Sequence, residues 1–110
     1  MPQQNDEQFE VKVFEYAGSF AENKDKAKDL REKVILPKLK NGSILILDYD
    51  QVETTTQSFT HALISESIRI YGSDVLDRIL FKNCNDEVER IIGIVVEYMQ
   101  GNMESPISEE

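Results

Sequence analysis

From Phe9 to Tyr16 ("FEVKVFEY") apolar and charged residues alternate, with Phe9, Val11 and Val13 on one side and Glu10 and Lys12 on the other. A period of two is that of a half-buried strand. The phase slips at Phe14, so this strand is expected to end or bulge before Gly18. Ser19 and Glu22 have capping-box spacing, and Ala27, Leu30, Val34 and Leu39 recur at helical intervals, which predicts a helix from about Asn23 to Leu36. Pro37 removes an amide donor and should end or kink that helix. Asn41-Gly42 reads as a turn. The nearly unbroken apolar run "SILILDY" predicts a central strand covered on both faces. A second helix runs from about Thr55 to Tyr71, stopped by Gly72, with Phe59, Ala62, Leu63 and Ile70 on its buried side. "RILFKNC" reads as a further strand. In "NDEVERIIGIVVEYMQG", Val88, Ile91, Ile92, Val95, Val96 and Met99 keep the i, i+3, i+4, i+7 rule, acids fill the first turn, and Gly101 closes the helix.

The order β-α-β-α-β-α implies parallel strands joined by right-handed crossovers. The expected fold class is therefore α/β, a small mixed or mostly parallel sheet with helices packed on it. Residues 1–100 form a single domain on this reading, and 101–110 a flexible acidic tail. A chain of 110 residues suits one modest core, and a hydrophobic fraction of 40% with few prolines and glycines argues for a folded chain.

Charge narrows the function. Twenty-one acids against twelve bases give a net charge of -9, so the surface repels phosphate backbones and anionic membranes. Neither nucleic acid nor membrane is an expected partner. The longest apolar stretch, Ile91 to Val96, is too short to span a bilayer, and the polar start "MPQQNDEQ" does not resemble a signal peptide. The expected location is cytoplasmic. Cys84 stands alone, which excludes an internal disulfide and a multi-cysteine zinc site, and is read as an inert thiol next to a strand. His61 has no cysteine or second histidine with which to share a metal.

The chemistry concentrates in "LILDYDQVETTTQSFTHALI", Leu45 to Ile64. Open α/β sheets place ligands beyond the carboxyl ends of their strands, where Asp48 and Asp50 fall. A phosphoaspartate receiver would need more acids after the first strand than "EYAGS" supplies, and Lys82 alone does not complete it. Asp48 and Asp50 as paired metal ligands would make a small metal-dependent hydrolase or metal-binding protein, the alternative from another class. No nucleophile with base and orienter accompanies them, and no Gly-rich phosphate cradle. The third reading is a helix start, with Thr54 and Gln57 as a capping box. It leaves Ser58 unexplained, in a first turn whose dipole would tolerate an added phosphate.

"LDYDQVETTTQSFTHAL" followed by "GSDVLDRILFKNCNDEVERII" resembles the STAS-like family of small bacterial domains, over roughly Glu22 to Gln100, with Thr56-Gln57-Ser58-Phe59 its most specific element. That family is similar to the anti-sigma-factor antagonists, which are binding modules and not enzymes. The resemblance implies a STAS-like fold, a signalling role and a protein partner such as a histidine-kinase-like ATPase. It also implies a phosphoacceptor serine at the start of the corresponding helix, where Ser58 falls. The antagonists carry Asp-Ser-Ser-Gly there, and in this chain the bulky Phe59 stands in place of the glycine. The sequence thus predicts a regulatory protein-binding module without a cofactor, with Asp50, Thr55, Thr56, Ser58 and Asn83 as contact residues on an acidic ridge.

Overall fold

The computed structural model describes residues 7–101. The expected acidic tail beyond Gly101 lies outside them. Strand β1 is Gln8–Lys12. Where the alternation slips, the strand ends, and one helical turn follows, α1 at Phe14–Ala17, with Phe14, Tyr16 and Ala17 set against the core. The strand reading of Phe14 to Tyr16 is thereby corrected. Two residues of strand, β2 at Phe20–Ala21, come next.

Helix α2, Lys24–Leu30, begins at Asn23, whose side chain accepts from the N–H groups of Asp25 and Lys26 at 2.8 and 3.2 Å. The cap is Asn23 and not Ser19. The helix runs on through a π-helical segment, Arg31–Ile35, into α3, Leu36–Lys40. Pro37 therefore neither ends the helix nor breaks its run of helical dihedrals. In the wider π turn the Leu36 N–H reaches the Arg31 carbonyl, five residues back, which gives the proline ring room over the preceding turn.

After the Asn41-Gly42 turn comes β3, Ile44–Asp48, then the two-residue β4, Thr54–Thr55. Helix α4 is Gln57–Tyr71, ended by Gly72 at φ 86, and a 3-10 helix, Ser73–Arg78, leads into β5, Ile79–Lys82. Helix α5 is Asp86–Met99. The main sheet has the order β1-β3-β5, and β2 pairs with β4 in a second, smaller sheet; every pairing is parallel. The fold is α/β, as the alternation of elements predicts.

One face of the main sheet is closed. Val11, Leu45, Leu47 and Ile79 are buried there with Ala27, Leu30, Phe59, Leu63, Val88 and Val95 from the helices. The other face is open: Glu10, Lys12, Leu80 and Lys82 are exposed, and Ile44 and Ile46 only half-buried. The expectation that β3 is covered on both faces is corrected. Its apolar run serves one covered face and one half-covered face between charged neighbours. Ile70 is likewise 53% exposed, and the buried stripe of α4 runs instead through Phe59, Thr60, Leu63, Ile64 and Ser67. Thr60 fits there because its hydroxyl donates to the Thr56 carbonyl at 3.1 Å. Helices also meet through polar reach. Arg31 donates to the Ala62 carbonyl at 3.0 Å, and Arg78 donates to the carbonyls of Leu39 in α3 and of Ser43 just before β3.

Candidate functional site at the carboxyl edge of the sheet

Period two along β3 puts Asp48 on the open face, at the last rung, between Lys12 of β1 and Lys82 of β5. Its side chain is nonetheless buried, because three donors converge on it. Lys12 Nζ approaches Oδ2 at 3.2 Å, while Asn83 Nδ2 and the Asp50 N–H both donate to Oδ1 at 2.9 Å. Donation from Asn83 and the Asp50 amide, with Lys12 beside it, holds the carboxyl well below its ordinary range, at about 2. Diagonally across the same face Lys82 pairs with Glu10 at 2.8 Å. Asp48 is a hub that fixes three segments of chain.

The Asp48 carboxylate closes the first turn after the strand, and the Val52 N–H returning to the Tyr49 carbonyl at 3.0 Å closes the second. This geometry forces Gln51 to φ 74, and Asn83 takes φ 59 in the turn after β5. Asparagine tolerates that region; glutamine does so at a cost. Asp50 and Gln51 stand exposed at the tip, whereas Tyr49 and Val52 on either side are buried. The Tyr49 hydroxyl has no hydrogen-bond partner among the described residues, and burial pushes its pKa up.

The rest of the loop is sewn down. The N–H groups of Glu53 and Thr54 donate to the Ser19 carbonyl, and the Thr55 hydroxyl donates to the Ala21 carbonyl at 2.8 Å. Asn85 works in two directions: its Nδ2 donates to the Glu53 carbonyl at 2.9 Å, and its Oδ1 accepts from the Val88 N–H at 2.8 Å as the cap of α5. Thr56, not Thr54, caps α4, accepting from the Phe59 N–H at 3.0 Å. Thr54 instead sits in β4. One turn of α4 thus begins on a cap whose neighbouring hydroxyl, Ser58, is half-buried.

Asp50, Gln51, Glu53, Asn83 and Asn85 surround an open basin of about 650 Å³ beyond the strand ends, with Tyr49 and Cys84 in its lining. The edge is therefore a basin with an acidic rim, where the sequence suggests a ridge. It brings Asp50 and Asn83 together. Thr56, the cap of α4, and Ser58, in its first turn, lie outside that lining, and Thr55 is buried where β4 pairs with β2. Sequence reasoning missed Asn85, Lys12 and Gln51. Asn85 had a legible signal, an asparagine directly before an acid-rich first turn; Lys12 depends on strand register and had none.

Asp48 and Asp50 do not form a ligand pair in this arrangement. The Asp48 oxygens already face an ammonium, an amide and a backbone N–H, the donor set of a carboxylate hub and not of a cation site. Among the described residues no group of three or more His, Cys, Asp or Glu side chains is placed to hold a metal ion. His61 is half-buried beside Tyr98, its ring centroid 6.4 Å from the tyrosine's, and burial with Lys24 nearby lowers its pKa. Burial raises the Cys84 thiol to about 11, assisted by Glu89 and Asp48, so it stays protonated near neutrality.

Residues 26–89 match the STAS-like domain of unknown function (DUF4325). The chain belongs to this family. STAS-like domains are non-catalytic regulatory modules. No curated protein and no solved structure matches the chain. Among the described residues no helix is long and apolar enough to cross a membrane.

Proposed function

We propose that this STAS-like domain is a signalling module that docks a protein partner through the carboxyl edge of its sheet. The partner we infer is a histidine-kinase-like ATPase acting in the cytoplasm, and Asp50, Thr56, Ser58 and Asn83 form the contact surface. Thr55 serves it indirectly, holding β4 to β2 so that Thr56 can cap α4. Ser58 is the phosphoacceptor in this reading. A phosphate there would lie at the positive end of the α4 dipole, yet add charge beside an acidic rim that a partner must approach.

The observation that carries the reading is the Asp50-Gln51 tip. It is exposed, includes a residue at φ 74, and is held from below by the Asp48 hub. Backbone held in a sparsely populated region by converging hydrogen bonds is characteristic of recognition loops. The acidic rim favours a basic complement on the partner.

The test is co-purification from the native host with the full chain as bait, in wild-type and Asp50→Lys forms. The proposal expects a histidine-kinase-like ATPase that wild type captures and Asp50→Lys loses. Incubating the captured kinase and ATP with wild type and Ser58→Ala should add one phosphate to the first alone. Equal capture by both baits would move the docking surface elsewhere, and a binding kinase that leaves Ser58 unlabelled would remove the phosphoswitch.

A further inference from the structure

We propose that the groove between the edge strand β5 and helix α5 receives an extended, basic and apolar segment of a partner protein, which adds to the sheet as a fourth strand. The groove shares Asn83 and Cys84 with the basin at the Asp50 tip but is lined by neither Asp50 nor Gln51, and the inference does not depend on that docking reading.

Three observations converge. First, β5 ends the sheet order β1-β3-β5, so among the described residues only its inner edge is paired. The Lys82 carbonyl accepts from the Tyr49 N–H and so faces β3. Backbone groups alternate sides along a strand, which turns the N–H and C=O of Phe81 outward. The edge is four residues long and the Ile79 N–H already donates to the Leu76 carbonyl, so the unpaired template it offers another strand is centred on Phe81.

Second, a groove of about 590 Å³ runs beside that edge. Ile79 and Phe81 line it from the strand, Ile92 and Val96 from the helix, and Asp77 and Glu89 add acids; among the described residues no Lys or Arg is in the lining. Edge amides for main-chain pairing beside apolar pockets for alternate side chains are the two parts of recognition by strand addition. The acids set the complement. They favour a segment with Lys or Arg among its polar positions and disfavour this chain's own C-terminal sequence "NMESPISEE".

Third, Gly93 sits mid-way along α5 and also lines the groove. A glycine there weakens a helix relative to alanine. Among the described residues nothing explains its use, since an added Cβ would meet none of their atoms within 4 Å. The missing side chain lowers the helix wall where a neighbouring backbone would pass.

The test is an amide-resolved NMR titration of the full chain with the capped peptide KVTVKVK, against the acidic counterpart EVTVEVE. Saturable shifts confined to residues 76–83 and 88–97, with slowed exchange at the Phe81 amide, are expected for the basic peptide only. Gly93→Leu fills the groove and should weaken binding by about tenfold or more. Gly93→Ala, which strengthens the helix, controls for folding and should weaken binding less. Several results would overturn the proposal: no shifts at about 1 mM peptide, equal binding of both peptides, or unchanged affinity in Gly93→Leu. Concentration-dependent shifts of the same residues without peptide would also overturn it, by giving the edge to a second copy of the chain.

Discussion

The turns that follow β3 and β5 leave the sheet at the same end, and both lead into a capped helix. Each contains a non-glycine residue at positive φ, Gln51 in one and Asn83 in the other. Their economies differ. The turn after β5 is three residues, and its two asparagines do everything: Asn83 holds Asp48, and Asn85 holds both Glu53 and the first turn of α5. The turn after β3 spans 49–56, with a two-residue strand inserted, and its exposed tip is closed by the Val52 N–H on the Tyr49 carbonyl and tied from outside by the Asp48 carboxylate. The short turn is the clamp and the long turn is the presented surface. Two aspartates two residues apart accordingly have opposite fates, Asp48 as buried hub and Asp50 as exposed rim.

Removing the hub should break the comparison most. Asp48→Ala strands the Asn83 amide, the Asp50 N–H and the Lys12 ammonium together. We expect a loss of about 3 kcal/mol in urea denaturation, against less than about 0.5 kcal/mol for Asp50→Ala. Equal effects would mean that the hub is not structural. Asn85→Ala removes a helix cap and the tie to the Glu53 carbonyl, and should cost about 1.5 kcal/mol, more than the roughly 1 kcal/mol of Thr56→Ala, which removes a cap alone.

Acid sharpens the same contrast. The Asp48 carboxyl titrates at about 2 in the fold against an ordinary 3.8. The unfolded chain therefore takes up the proton first, so this contribution is complete above about pH 4 and is lost as pH falls towards 2. Lys12 is 55% exposed, and water screens its share. The expected loss between pH 5 and pH 2 is of order 1 kcal/mol more for wild type than for Asp48→Asn. Parallel stability curves for the two proteins would contradict the hub assignment.

The elements that pack on the core were legible because their periodicity is long. Val88 to Met99 repeats over three turns, and "SILILDY" has no other use than a strand. The failures are short or polar. Strands β2 and β4 have two residues each and exist only because Ser19 and Ala21 meet the chain between Glu53 and Thr56, a long-range pairing that no local pattern encodes. Thr60 and Ser67 hide the buried stripe of α4 behind hydroxyls, so the apolar pattern carries it one turn too far, to Ile70. At the site, the acids and threonines between Leu45 and Ile64 are visible in the sequence, but their roles are set by partners on other elements. Lys12 and Asn83, 36 and 35 residues from Asp48, decide that it is a hub.

Gln51 gives the finest probe of the two turns. At φ 74 it carries about 1 kcal/mol of strain that glycine would relieve, while glycine adds about 0.5 kcal/mol of freedom to the unfolded chain. Gln51→Gly should therefore stabilise by about 0.5 kcal/mol, read as a rise in Tm of a few degrees. Asn83→Gly keeps an equally compatible backbone but loses the bond to Asp48, so it should destabilise by about 1 kcal/mol. Opposite signs at two positions of the same backbone class would separate strain from tethering: the long turn stores the former and the short turn supplies the latter. A fall in stability for both would mean that the Gln51 side chain helps hold its own loop, and the tip would then be self-supporting rather than clamped from below.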